Sequence, residues 1–383
     1  MVSVEQLKDA RATVAEQLEE AGWAITMPPP NTTGYDFEAM KGKEVIAIQV
    51  KDHKTPVKVP QIERFLNFFD LPISRRFTRG LLVSSNGFTH NALTYFANVN
   101  SSRVRLAVMK EGTVHWIRFD DKQPVSAPKE LVYVGVFTCK GGVGKTTISA
   151  HLGGAIALSG YDVAIIDLDP QKNLTTLLSG GVVIPGTAGE PSHTIKVFSL
   201  DEWDDRRPPL GTKMVVCDCS PVFEENPEHI IQKFSYCIIP TTLNPLGLNK
   251  NGYVIKNTLK AIRSVNKHAY VFVLINNYFK DEAHKAQVLK DQYKRYFSKL
   301  SEQEPRFQFI DPDEVAIRNS KQLFYWGYHI YSGEKPELAF TTIGGRCAPK
   351  ADFLNLLDYL EEHSDISQYK NATNGKVSEW VNG

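Results

Sequence analysis

"FTCKGGVGKTTIS", residues Phe137–Ser149, sets two lysines, Lys140 and Lys145, around a glycine-rich turn. It follows the apolar run "VYVGVF" and leads into a stretch that suits a helix. Backbone N–H groups of a tight glycine turn running into a helix N-terminus converge on phosphate oxygens. The general pattern for such a loop is G-x-x-x-x-G-K-[S/T]. Gly144, Lys145 and Thr146 match it, and Cys139 stands where the pattern has its first glycine. Lys145 is placed to neutralise β and γ phosphates, and the Thr146 hydroxyl to meet Mg2+. A long segment precedes the loop, so a second question is what the loop is attached to.

Downstream, "DVAIIDLD", "KMVVCDCS", "YCIIPTT" and "YVFVLINN" are short apolar runs separated by helical stretches. That rhythm predicts an α/β architecture, a doubly wound and mostly parallel sheet. Asp167, Asp169 and Asp218 fall at the carboxyl ends of these strands, the edge where such sheets bind ligands. Phosphoryl transfer needs charge neutralisation and an aligned water more than covalent chemistry, which suits acids there. Asn276 and Asn277 close the last strand, where a base-contacting residue and a plain turn residue are both open readings. Residues 180–199, rich in Gly and Pro, read as a surface excursion with no assigned role.

At 383 residues the chain suits two domains. Hydrophobic residues make up 42 % and charged ones 23 %, as in an ordinary globular protein. The net charge of +1 leaves any nucleic-acid face to be local. The 5 cysteines show no metal-binding or disulfide spacing, which fits a reducing, cytoplasmic setting. No apolar run approaches the roughly 20 residues that span a bilayer, and no membrane partner is expected. "FDDKQPVSAPKE" (Phe119–Glu130) carries prolines and charges and reads as a linker. The expected layout is a domain over 1–120, a linker over 121–130, a nucleotide-binding domain over 131–365 and a polar tail over 366–383.

The form KGGVGKT resembles the deviant phosphate loop of the ParA/MinD family of ATPases. "IIDLDPQKNLTTLL" is similar to that family's switch segment, and "MVVCDCSP" to its second acidic strand. The resemblance implies a P-loop ATPase with ATP and Mg2+ as cofactors, held by Gly141, Gly142, Val143, Gly144, Lys145, Thr146 and Thr147, with Asn276 near the base. It implies Thr146, Asp167 and Asp218 around the metal and Asp169 positioning the attacking water. It makes Lys140 the signature lysine, reaching the ATP of a second subunit in a homodimer that sandwiches nucleotide. Proteins of this type bind DNA through basic surfaces. In "HKAQVLKDQYKRYFSKL", Ala286, Leu289, Tyr293, Tyr296 and Leu300 form an apolar stripe, with Lys290, Lys294 and Arg295 expected on the opposite side. An ordinary solvated face is the alternative there.

In front of the ATPase, Val4, Leu7, Val14, Leu18 and Ala21 recur at helical spacing, and Gly22 is placed to end that helix. "KEVIAIQVK", "RGLLVSS" and "VRLAVM" read as strands, with a helical "PQIERFLNFF" between the first two. Gln49 and Lys51 lie on one face of their strand, and Asp36 precedes it. This trio suits one divalent metal, bound by Asp36 and Gln49, with Lys51 activating water beside a scissile phosphate. The stretches around it resemble the Mrr-type domain of the PD-(D/E)xK restriction endonucleases. That resemblance implies Mg2+-dependent DNA cleavage with Asp36, Gln49 and Lys51 as catalytic residues. Arg11 stands where nucleases of this type often carry a helix acid. Lys41, Lys43, Lys54, Lys58, Arg75, Arg76 and Arg79 are candidate DNA guides.

Two readings follow. One is an ATP-regulated endonuclease acting on foreign DNA, in phage or plasmid defence, with an additional protein subunit for target recognition. The other is a partition or positioning ATPase whose front domain binds DNA without cutting it. A metabolic iron–sulfur relative fares poorly, because Cys217 and Cys219 straddle Asp218 too closely.

Overall fold

Val14, Ala15 and Leu18 are buried on one face of helix α1 (Ala10–Glu20), and Gly22, at φ +83°, turns the chain out of it. The computed structural model describes residues 10–29, 32–99, 101–110, 112–117, 131–186, 192–244, 248–279, 283–340 and 346–363. The expected linker at 121–130, the tail at 366–383, Val4 and Leu7 lie outside the described residues. The described residues fall into two compact units, one up to residue 117 and one from residue 131.

In the first unit α1 is followed by β1 (Ala24–Thr26), β2 (Phe37–Lys41), β3 (Glu44–Lys51), α2 (Val59–Phe68), β4 (Arg79–Ser84), α3 (His90–Val99), β5 (Val104–Lys110) and β6 (Thr113–Trp116). The strands lie side by side in chain order. β3, β4 and β5 pair in parallel, and the outer pairs are antiparallel. Ile46, Ile48 and Val50 of β3 join Phe37, Ala39 and the α1 side chains in one core. Strand alternation therefore sends Gln49 and Lys51 to the other face.

The second unit begins with β7 (Val132–Val136), α4 (Lys145–Leu158), β8 (Asp162–Asp167), α5 (Asn173–Leu178), β9 (Gly181–Ile184) and β10 (His193–Ser199). It continues through β11 (Thr212–Asp218), α6 (Glu228–Ile231), β12 (Phe234–Thr241), α7 (Leu248–Val265), β13 (Tyr270–Tyr278) and α8 (Ala283–Gln303). β14 (Phe307–Phe309), β15 (Ile317–Arg318), α9 (Lys321–Phe324), α10 (His329–Ser332) and α11 (Ala348–Glu362) complete it. The sheet runs β14-β13-β12-β7-β11-β8-β10-β9, with β15 paired to β13. Every pairing is parallel except β9 with β10. From β7 the chain moves to β8 on one side and later returns to β12 on the other, so strand order reverses at β7. In such sheets the crevice for a ligand lies outside the carboxyl ends at that reversal.

Within residues 180–199, expected as a surface excursion with no assigned role, β9 and β10 pair antiparallel at the sheet edge. Gly181 sits at φ +140°, where an added Cβ would lie 2.1 Å from the Ile195 carbonyl oxygen, so only glycine lets the strands meet.

Helix α4 is buried on nearly all sides, between the sheet and α11. His151, within it, is fully buried, stacked on Phe353 and edge-on to Trp326 and Phe340. Its Nδ1 lies 2.8 Å from the Thr147 carbonyl, and Ala339 N–H donates to its Nε2 at 3.0 Å. That pattern is a neutral imidazole, donating through Nδ1 and accepting at Nε2. Burial lowers its pKa to about 4. No helix of the described residues is long and apolar enough to cross a membrane.

Candidate functional site

The glycine loop leaves β7 and enters α4 with Gly142 at φ +73° and Gly144 at φ +91°. An added Cβ on Gly144 would lie 2.2 Å from Nδ2 of Asn276, whose amide donates to the Val143 carbonyl at 2.9 Å. Asn276 therefore braces the loop. Asn277, at φ +58°, pairs with Asn319. Cys139, at the position of the missing glycine, gives its N–H to Thr258 Oγ1 on α7 at 3.0 Å.

Val136, Asp218 and Asp167 stand at one level of adjacent strands β7, β11 and β8. Asp218 is buried; Ser149 Oγ donates to its Oδ1 at 2.9 Å, and its Oδ2 is buried with no hydrogen-bond partner. Burial raises its pKa to about 7, against the Thr146 and Ser149 hydroxyls and Lys145, with Asp167 pushing the same way as burial. An unsatisfied buried carboxylate oxygen beside a threonine hydroxyl fits a hard divalent cation that keeps much of its own water. Asp167 is differently engaged: Oδ1 accepts from Asp169 N–H at 3.3 Å, and Oδ2 from Thr175 N–H and Oγ1 at 2.9 and 2.7 Å. Asp169 is partly exposed beyond the strand, accepting Gln171 N–H at 3.0 Å.

Lys145 is 7 % exposed, with Nζ 3.5 Å from the Lys140 carbonyl. Lys140 Nζ donates to Asn251 Oδ1 at 2.9 Å, and Asn251 is in turn held by the Thr242 carbonyl and the Tyr293 hydroxyl. Ser149 lies one helical turn after Lys145, a spacing that marks it in the sequence; Asn251 and Thr175 carried no such signal. On α8 the expected solvent-facing triplet is corrected. Lys290 is 2 % exposed and pairs with Asp313, and Lys294 pairs with Asp311. Arg295 alone of the three is exposed without an ion pair among the described residues. Tyr293 and Phe297 are buried in the core; the Ala286 side chain lies outside the described residues.

In the first unit Asp36, Gln49 and Lys51 come together at the junction of β2 and β3. Asp36 N–H donates to the Ile48 carbonyl at 2.7 Å, and Val50 N–H donates to Asp36 Oδ2 at 2.7 Å. Gln49 donates to the Gly34 carbonyl at 3.2 Å. The other oxygen of Asp36 is 3.3 Å from Arg11 Nη2. Glu38, two residues on and 5 % exposed, is enclosed by Arg76 and the Tyr35 hydroxyl. Both carboxylates are thus neutralised by arginines, and no cluster of three acid, histidine or cysteine ligands exists among the described residues. This donor set does not fit a divalent ion, which would have to displace a guanidinium to reach the Asp36 oxygen it holds. Lys51 is half-buried, and burial first, then Arg64 and Arg11, lower its pKa against the pull of Asp36. Of the expected DNA guides, Arg76 serves Glu38, Arg79 pairs with Glu44 at 3.3 Å, and Lys41 donates to the Ala21 carbonyl at 2.8 Å.

Residues 134–319 match the family model described as the CobQ/CobB/MinD/ParA nucleotide binding domain, and residues 5–111 match the restriction endonuclease model. The chain therefore joins a restriction-endonuclease-family domain to a nucleotide-binding domain of the MinD/ParA family. It is 46 % identical to the sporulation initiation inhibitor protein Soj of Bacillus subtilis over 43 residues, 11 % of this chain and 17 % of that one. The chain spans about a fifth of the length of the curated relatives it matches. Among solved structures, pNOB8 ParA is 14 % identical with a TM-score of 0.41, over 63 % of this chain and 95 % of that one. Cobyrinic acid a,c-diamide synthase from Mycobacterium smegmatis, with bound ATP analogue and magnesium, is 17 % identical with a TM-score of 0.38, over 65 % and 100 %.

Proposed function

We propose that this chain is an ATP-dependent switch that pairs two copies and thereby controls how its front domain engages DNA. The observation that carries the reading is the buried, unpartnered Asp218 Oδ2 beside the Thr146 and Lys145 end of the glycine loop. The loop N–H groups and Lys145 take the ATP phosphates, while Thr146 and Asp218 would hold Mg2+. When bound, that ion offsets the phosphate charge. Asp167 anchors the segment carrying Asp169, and Asp169 orients the attacking water. Lys140 exchanges Asn251 for the nucleotide of the second copy. Light scattering tests this: ATP with Mg2+ doubles the particle mass, Asp169→Ala accumulates the ATP-bound pair, and Lys140→Ala binds ATP yet stays single. Wild-type protein that remains monomeric under saturating ATP rejects the reading.

For the front domain, the Arg11–Asp36 pair supports a positioning role in which DNA is held and left uncut. A second reading, which requires a divalent ion to displace Arg11 from Asp36, is Mg2+-dependent cleavage in the restriction of foreign DNA, with an additional protein subunit choosing the target. The meeting of Asp36, Gln49 and Lys51 and the restriction-endonuclease match support it. Plasmid cleavage in Mg2+ that disappears in both Asp36→Ala and Lys51→Ala would decide for cutting.

A further inference from the structure

The Asp36 pocket gathers positive charge. Arg11 arrives from α1, Arg64 from α2 and Lys51 from β3, and both arginines lie near enough to Lys51 to disfavour its charge. The one carboxylate among them has its oxygens engaged by the Arg11 guanidinium and by Val50 N–H. The neighbouring carboxylate, Glu38, is likewise closed off by Arg76 and Tyr35. Arg11 thus pairs with Asp36 and Lys51 lies close by, with Arg64, whose Nε donates to the Pro60 carbonyl at 3.3 Å, near enough to Lys51 to act on its charge. Among the described residues no hydrogen-bond acceptor meets the Lys51 ammonium, which is half-buried. The Arg11 side chain remains 51 % exposed while its Nη2 lies 3.3 Å from Asp36. A planar guanidinium held in place beside a partly dehydrated ammonium is a phosphate receptor.

We infer that this pocket is an anion site, in which Arg11, Lys51 and Arg64 hold a DNA backbone phosphodiester directly, with no divalent ion between. The inference rests on the reading that the front domain engages DNA, and it assigns Asp36 to positioning Arg11. Phosphates carry no base identity, so recognition here is independent of sequence.

The test uses the full chain without nucleotide and fluorescein-labelled short duplexes of two unrelated sequences, followed by anisotropy. Both duplexes bind equally, and binding survives replacement of Mg2+ by EDTA. Arg11→Ala and Arg64→Ala each weaken it roughly tenfold and lower the log–log salt slope by about one. Both arginines are exposed, and an unchanged melting temperature excludes misfolding. Arg11→Glu, which puts an acid beside Asp36, loses DNA affinity in EDTA and gains Mn2+ uptake by calorimetry relative to wild type. Binding that requires Mg2+, alanine variants that bind like wild type, or wild-type Mn2+ uptake abolished by Asp36→Ala would each overturn the inference. If wild type binds neither duplex in either buffer, the DNA reading falls as well. ATP-dependent pairing, measured on the same preparation by light scattering, is independent of that result.

Discussion

Arg76 shows how a surface-looking cation can be structural. Its guanidinium encloses Glu38, which is 5 % exposed, and lies 4.6 Å from the centre of the Phe77 ring. Removing one partner of such a pair strands a buried charge, so Arg76→Ala should destabilise the front domain by on the order of 3 kcal/mol. Urea denaturation of the full chain checks this; a front-domain transition at the wild-type midpoint refutes it. The sequence placed Arg76 among the candidate DNA guides, but Glu38 is far away along the chain and its burial is a tertiary fact. Lys290 went unread for the same reason. Its spacing placed it off the apolar stripe, yet Asp313 from another segment draws it into the protein. Arg11 was legible as a departure from pattern; that it reaches Asp36 was not.

Helix α4 does more than follow the glycine loop. Through His151 it fixes the backbone at Ala339, and at Gly154 it admits Leu338 and Phe340 so closely that a Cβ would lie 2.3 Å from Leu338. Gly154→Ala should therefore lower stability by about 1–3 kcal/mol through overpacking, seen as a lower melting temperature. His151 adds a pH dependence. Its pKa falls from 6.5 to about 4 on folding. Between those values the unfolded chain binds a proton that the native chain does not. The His151 contribution is complete above pH 6.5 and lost as pH falls toward 4, about 3 kcal/mol in all. Scanning calorimetry of wild type and His151→Asn at pH 7.5 and 5.5 checks this, the variant showing the shallower dependence. The strands and α4 were legible because apolar runs and the loop motif are local signals. The β9–β10 pairing was not, because the glycines and prolines of residues 180–199 drew the reading toward a surface excursion, although His193–Ser199 does alternate in the manner of a strand.

The two units make a prediction for the whole chain. A ligand that binds only the native second unit stabilises that unit by an amount set by its concentration relative to Kd, about 2.7 kcal/mol at a hundredfold excess. Two melting transitions should therefore respond unequally: ATP with Mg2+ raises one and leaves the front domain's in place. Lys145→Ala should remove the shift, and a wild-type profile indifferent to nucleotide would refute nucleotide capture by the glycine loop. Domain order and both fold types were readable from motif and rhythm, whereas the identity of the front-domain ligand was not, since it depends on which side chains neutralise which.

Val136, Asp218 and Asp167 share one rung of the sheet, and Ile238 and Ser199 extend that rung on either side. Along a strand, one added or missing residue swings every later side chain to the opposite face. The glycine-loop site therefore tolerates drift in the length of its connecting loops but not in β7, β8 or β11 themselves. Single-residue insertions there would yield proteins that still assemble a sheet yet are inert toward nucleotide.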